Sequence, residues 1–367
     1  MQGKFEHFFP GANTSRGFYS LFHYILPQEF AKRIICIKGG PGTGKSYLMK
    51  KVGQYFNEKG YNIEYHHCSS DSDSLDAIVI KKLKIALLDG TAPHIVDPKY
   101  PGAIDEILNM GDCWKETGFP AYKHEIIRIN KEISKTFSRV YRYFASAKNM
   151  HDDWSFYNSK AIDLSSLNIL KEQLKDQILQ DLEVSSVGYD RHLFATSFTP
   201  KGIITYVDSL LEGYKRIYVL EGGPGTQKTD ILNYLYKETL KRGLDVNVFH
   251  DPFIPERLEH ILIPFLNIAV LTSNEINQKK FVGNQIKMED YLDTNLLEKY
   301  SKEIQQSKDN FYFLLNQGLQ ILASEKPLHD KLEECYTPNM NFNKNEDKFN
   351  EIITKILKYE KEYRSKL

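Results

Sequence analysis

Residues 32–46 read KRIICIKGGPGTGKS, and residues 215–229 read KRIYVLEGGPGTQKT. In the first copy the short apolar run Ile34–Lys38 stops at two glycines, as a buried parallel strand does. Residues 45–58 continue in a helical pattern, and Gly60 is free to end that helix at positive φ. The second copy follows 183 residues later, and the register holds without a gap through residue 90. Gly60 falls on Gly243, His67 on His250, and LDAIVIKKLKIALLDG (75–90) on LEHILIPFLNIAVLTS (258–273). Upstream the offset is 185, which sets His7 against His192 and Gly17 against Gly202. Downstream it is 178, with KNMHDDW (148–154) against KPLHDKL (326–332). A register this long predicts duplication of a whole domain, because solenoid repeats are far shorter, roughly 20–50 residues. The boundary falls near residue 187, giving lobes at 1–187 and 188–367.

Working outward, Tyr61–Tyr65 reads as a second strand, Ser74–Lys82 as a helix, and Lys84–Leu88 as a third strand ending on Asp89. Strands alternating with helices predict an α/β lobe, a parallel sheet sandwiched by helices. Each lobe then carries a long helical extension, about 121–185 and about 295–367. Between Tyr122 and Tyr157 the residues Ile126, Ile129, Ile133, Phe137, Val140, Phe144 and Ala147 step by three and four; Ile304, Phe311, Leu315 and Leu322 repeat the pattern in Ser301–Leu322. Such a stripe packs on a neighbouring helix, the alternative being a coiled coil with a partner. Residues 360–367 read as a frayed, solvated end.

The segment Gly39-Gly40-Pro41-Gly42-Thr43-Gly44-Lys45-Ser46 fits GxxxxGK[ST] in full, between a strand and a helix. Glycines let several backbone N–H groups turn into one concavity, and the following helix adds its positive end. Lys45 would reach the terminal phosphates of a nucleoside triphosphate, and Ser46 would hold Mg²⁺. The second copy keeps Gly222, Gly223, Gly225, Lys228 and Thr229, but Gln227 replaces the glycine before the lysine. If that position needs positive φ, glutamine strains it. Asp89, at the tip of an apolar strand, is placed to help hold Mg²⁺ or to cap the next turn. It aligns with Thr272, so the lobe with the altered loop also lacks this acid.

His66-His67-Cys68-Ser69-Ser70-Asp71-Ser72-Asp73 follows the second strand. Ligands of doubly wound sheets bind outside the carboxyl ends of strands, so Asp71 or Asp73 could orient water or accept a hydroxyl proton; both residue types also cap helices. A zinc site on His66, His67 and Cys68 is disfavoured, since neighbours on one strand alternate faces. The proline-rich loop Thr91–Pro98, with His94, lies on the same expected face, as a substrate contact or a rigid surface loop. His151-Asp152 and His329-Asp330 recur in both extensions, which favours a shared structural role such as a hydrogen-bonded helix end. Arg139 and Arg142 sit on a helix that could face a neighbouring site.

Across 367 residues, Lys+Arg and Asp+Glu are both 48, so no whole-chain field draws the protein to nucleic acid or an anionic membrane. Only ten of the basic residues are arginine, which gives base readout no support. Cys36, Cys68, Cys113 and Cys335 make no disulfide framework. With no signal pattern and no 18-residue apolar stretch, a reducing cytoplasm is the expected setting.

With these residues in place, the first lobe resembles a P-loop NTPase. The whole chain resembles a bacterial family of tandem P-loop ATPases, on the strength of KGGPGTGKS, DGTAPHIVDP and the degenerate EGGPGTQKT. The resemblance implies ATP and Mg²⁺ binding by Gly39–Ser46 with Asp89 as the second acid. The loop wording is similar to AAA+ proteins, yet Gly90 stands where their second acid would be; Asp-Ser-Asp is reminiscent of small-molecule kinases. The expected function is an ATPase with an active first lobe and a degenerate second one. A kinase passing the γ-phosphate to a small molecule or nucleotide, and a non-hydrolysing nucleotide switch, are the alternatives. The acceptor, the protein partner and the oligomeric state are not legible.

Overall fold

The computed structural model describes residues 2–91 and 96–365. The chain is α/β and two-lobed, with one six-stranded mixed sheet per lobe. In the first half β1 (Phe5–Phe8) leads into a hairpin of β2 (Gly11–Thr14) and β3 (Gly17–Ser20). Then come β4 (Arg33–Lys38), α1 (Lys45–Glu58), β5 (Ile63–His67), β6 (Leu75–Ile80), β7 (Ile85–Asp89) and β8 (Asp105–Asn109). The helices α2 (Phe119–Lys160) and α3 (Leu164–Ile178) complete that half. The second half repeats it: β9 (Asp190–Leu193), β10 (Thr196–Thr199), β11 (Gly202–Thr205), the short α4 (Val207–Leu210), β12 (Arg216–Glu221), α5 (Lys228–Leu240), β13 (Val246–His250), β14 (Leu258–Ile263), β15 (Ile268–Ser273) and β16 (Asn284–Lys287). It ends in α6 (Thr294–Lys299), α7 (Ser301–Ala323), α8 (Lys326–Tyr336) and α9 (Phe342–Arg364).

The sheet orders, β1-β5-β6-β7-β4-β8 and β16-β12-β15-β14-β13-β9, are the same order read from opposite ends. This bears on two expectations. The stretch 74–82 is not a helix: Leu75–Ile80 is a strand, antiparallel to both β5 and β7. The sheet is therefore mixed rather than parallel. All six residues of β6 are buried, so no amphipathic period separates helix from strand there, and the β-branched trio Ile78, Val79 and Ile80 favours the strand. The tight return to β7 uses Lys84 in the left-handed region (φ 55°), mirrored by Asn267 (φ 53°).

Each sheet buries alternate residues on its two faces. Ile35 and Ile37 face α1, through Leu48, Met49, Val52 and Phe56, whereas Ile34 and Cys36 face Phe22 and Ile25. The helices that close the sheets are exchanged between halves. Ile352, Ile353 and Ile356 of α9, at the end of the chain, complete the first core. Leu167, Leu170, Leu174 and Ile178 of α3, from the first half, complete the second. The expected frayed end is helical as far as Arg364: buried Glu360 accepts from Tyr61 (2.9 Å) and Lys59 (3.0 Å), while Lys361, Glu362 and Arg364 are solvated as expected.

Between the lobes α2 and α7 run antiparallel: Trp154 meets Phe311, and Phe144 lies over Gly318. A Cβ on Gly318 would come within 2.6 Å of the Phe144 ring, so this close approach requires glycine. The apolar stripe is consumed inside the chain, with Val140, Phe144, Ala147, Phe311, Leu315 and Leu322 in one cluster. The lobes also join through reciprocal backbone bonds between Phe9 and Phe194 (2.9 and 3.0 Å). No helix among the described residues is long and apolar enough to cross a membrane.

Candidate functional site

The first glycine-rich loop leaves the carboxyl end of β4 and enters α1. Gly42 (φ 66°) and Gly44 (φ 88°) are left-handed, which is why glycine stands there. Lys45 folds its ammonium back under the loop, donating to Gly39 O (2.7 Å) and Gly40 O (2.8 Å). β7 pairs directly with β4, with Asp89 level with Ile37, and this places the Asp89 carboxylate 3.4 Å from Lys45 Nζ. Asp89 also accepts from Thr91 N (2.8 Å), so it both caps the turn and faces the lysine. Ser46 Oγ accepts from Leu75 N (3.0 Å).

The two other proposed acids separate. Asp71 is largely buried beside Lys326 of α8 (3.4 Å) and accepts from Ser74 Oγ (2.9 Å). Burial works against its charge, but the Ser74 bond and Lys326 prevail and lower its pKa. Asp73 is exposed and pairs with Lys201 (2.5 Å) of the β10–β11 hairpin. The His-His-Cys run also divides: His66 turns to Glu64 (3.2 Å), His67 to His7 (2.8 Å), and Cys68 to Asp76. Among the described residues those three do not gather as a metal site. His94 lies outside the described residues. Arg139 stacks over Tyr143, and it and Arg142 are on the exposed side of α2.

Asp76 escapes a reading of its segment as helix. On β6 it is buried within electrostatic range of Asp89, Lys45 and Asp71, and burial and the Asp89 charge push its pKa up to about 8. Its counterpart by the 183-residue offset, Glu259, is buried too, with its pKa pushed up to about 8 by burial and by Asp251. An acid kept in the same apolar strand of both copies was the signal available in the sequence.

The second loop has the same shape. Gln227 takes the left-handed backbone (φ 63°, ψ 21°) that Gly44 takes in the first, so the residue that lost its glycine does need positive φ. Buried Lys228 donates to Gly222 O (2.5 Å) and Gly223 O (2.6 Å). Thr272 does replace Asp89, but a carboxylate returns from three residues further on. Glu275 lines the same cavity, where His151 of α2 contacts it at 2.6 Å. His151 is thus a mid-helix link between halves, not a helix end. His329 differs from it: it lies 3.8 Å from Glu333 on its own helix.

Each loop is covered by helices from the opposite half. A Cβ on Gly40 would lie 2.4 Å from the Tyr336 ring of α8, and Asn345 of α9 donates to Thr43 O (3.2 Å). At the second loop Asn158 of α2 donates to Pro224 O (2.7 Å) and Ser159 to Gly225 O (3.2 Å). The rotated copy of one arrangement thus recurs at both ends of the α2–α7 pair.

Residues 20–94 are similar to the family described as Nephrocystin 3, N-terminal, a match that takes in the first glycine loop and the strands β4–β7. No curated protein and no solved structure matches the chain.

Proposed function

We propose that the chain is a P-loop protein of the cytoplasm that binds ATP and Mg²⁺ at Gly39–Ser46 and hydrolyses the γ-phosphate. The observation that carries this reading is the Lys45–Asp89 contact at the mouth of a loop that holds two left-handed glycines, Gly42 and Gly44. Lys45 is held by loop carbonyls and one carboxylate, partners it would exchange for phosphate oxygens of a ligand. The Ser46 hydroxyl and the Asp89 carboxylate are hard oxygen donors of the kind Mg²⁺ takes, and the ion would supply charge neutralisation at the phosphates. This chain's own contribution is positioning and electrostatics: loop amides and Lys45 stabilise charge on the transferring group. Asp71 or the buried Asp76 is the candidate to orient water. The test is phosphate release by the full chain with ATP and Mg²⁺, against Lys45→Ala; equal release by both rejects the assignment.

A second reading, a nucleotide-operated switch, is favoured by Tyr336 and Asn345 lying over the loop. A ligand on the loop amides would meet helices of the opposite half. Tight ATP binding without turnover, with a solution shape that differs between ADP and an ATP analogue, would support it. A kinase reaction predicts instead that ADP forms only when an acceptor is added.

A further inference from the structure

The second loop opens on a cavity of about 160 Å³, lined by Lys228, Thr229, Asp251, Arg257, Thr272 and Glu275 among others. That is about half the lower bound of pockets for whole drug-sized ligands, roughly 300 Å³, and suits a phosphate end; a neighbouring cavity of about 380 Å³ shares Thr226, Asn274 and Glu275 with it. Three features set it apart from the first site. Thr272 removes the acid that would hold a metal. Arg257 stands where the first lobe has Ser74, and its guanidinium makes no side-chain hydrogen bond or ion pair among the described residues. Glu275, only 8% exposed, has its charge answered through one oxygen by His151 and leaves the other, Oε2, without a donor.

The charges follow from these contacts. His151 faces the Glu275 charge from one side, and burial followed by the Glu275 charge raises the pKa of Asp251. Arg257 and Lys228 remain, next to the loop amides and the start of α5, although burial lowers the pKa of Lys228 against the opposing pull of Glu275, Glu289 and Asp251. A permanently charged guanidinium with planar, forked donors can do at a phosphate what a divalent ion does elsewhere. The unpaired Glu275 oxygen is an acceptor for a protonated phosphate oxygen or a ligand hydroxyl.

We propose that the second lobe is a metal-independent binding site for the phosphate end of a nucleotide or of pyrophosphate, in which Arg257 takes the place of Mg²⁺ and no hydrolysis occurs. This rests on the reading of both glycine loops as phosphate cradles, and it adds ligand, counter-charge and outcome for the second one.

The test is calorimetric titration of the full chain with ADP and, separately, pyrophosphate, in EDTA and in Mg²⁺. One EDTA-resistant site per chain is expected, retained in Lys45→Ala, weakened at least tenfold in Arg257→Ala, and partly restored in Arg257→Lys. Equal uptake of pyrophosphate and ADP would identify the phosphate end alone as the ligand; uptake of ADP only would identify a nucleotide. Absence of EDTA-resistant binding in a folded chain, or its survival unchanged in Arg257→Ala, overturns the proposal. Mg²⁺-dependent uptake lost in Lys45→Ala would still stand in that event, so failure here is distinguishable from failure of the ATPase reading.

Discussion

His151, in the last third of the long helix of the first half, contacts Glu275, just beyond the tip of β15 in the second sheet, at 2.6 Å, and both are buried. Burial alone would lower the His151 pKa, but hydrogen bonds with Asp152 and Glu275 raise it. Burial would likewise raise Glu275, yet the His151 contact takes it down to about 2. Removing one partner strands the other charge in the interior. We predict that His151→Ala costs about 3–5 kcal/mol of stability, the range for breaking a buried pair. Denaturant unfolding of the variant at pH 6 measures it. A loss under about 1 kcal/mol, the value of an exposed pair, would show that the contact carries little.

The same pair sets a pH window. Histidine with a raised folded pKa contributes stability below its unfolded value of about 6.5, and that contribution fades as pH rises through the folded value. Glutamate with a depressed pKa contributes above its unfolded value near 4.3 and loses that contribution as pH falls towards 2. The His151–Glu275 contribution is therefore largest between roughly pH 4.3 and 6.5. Melting temperatures of wild type and His151→Gln should differ most inside that window and converge on either side.

Buried carboxyls act in the opposite sense. Asp76 and Glu259 have pKa values pushed up to about 8, so the folded chain holds their protons where the unfolded chain has released them. Stability from this source falls as pH rises from about 4 towards 8. Asp76→Asn and Glu259→Gln should flatten that decline and gain on wild type in melts at pH 8 relative to pH 5. A decline of unchanged steepness in both variants would contradict the assignment.

The two glycine loops provide a matched pair of substitutions. Gln227 holds φ 63° where Gly44 holds φ 88°. A left-handed backbone costs an ordinary residue about 1–2 kcal/mol, partly offset by the chain entropy of glycine, about 0.5–1 kcal/mol. Gln227→Gly should therefore be stabilising by up to about 1 kcal/mol, and Gly44→Ala destabilising by a similar amount. Chemical denaturation of the two variants side by side checks the opposite signs.

The exchange of α3 and α9 predicts that the halves do not stand alone. Residues 1–187 lack Ile352, Ile353 and Ile356, and residues 188–367 lack Leu167, Leu170 and Leu174. Each fragment made separately should aggregate or stay molten, and the two refolded together should recover the native circular dichroism. Within the full chain, Ile356→Ala should cost about 2–5 kcal/mol, as for other buried isoleucines. A 1–187 fragment that folds cooperatively as a monomer would contradict the exchange.

Much of this was legible because the chain repeats. The strand, glycine turn and helix of each lobe follow from Ile34–Ser46 and its copy, and the α2–α7 seam from the three-and-four spacing of its apolar residues. Leu75–Ile80 was not legible by period, since a strand buried on both faces shows no alternation. The exchange was not legible either: an apolar stripe on α3 or α9 says that a sheet is covered, not which sheet. For the site, Lys45 and Asp89 come together as their motif positions suggest, whereas Asp73 points to solvent and Lys201. The helices over the loops come from 302 residues away in sequence at Thr43 and 66 residues away at Pro224, and no local pattern announces such a contact.

The most direct measurement is calorimetric titration of ATP into the purified full chain, with and without Mg²⁺, for wild type and Lys45→Ala. The account predicts Mg²⁺-dependent uptake by wild type that Lys45→Ala loses. No Mg²⁺-dependent heat from a folded wild-type chain, or the same heat from both proteins, would contradict it.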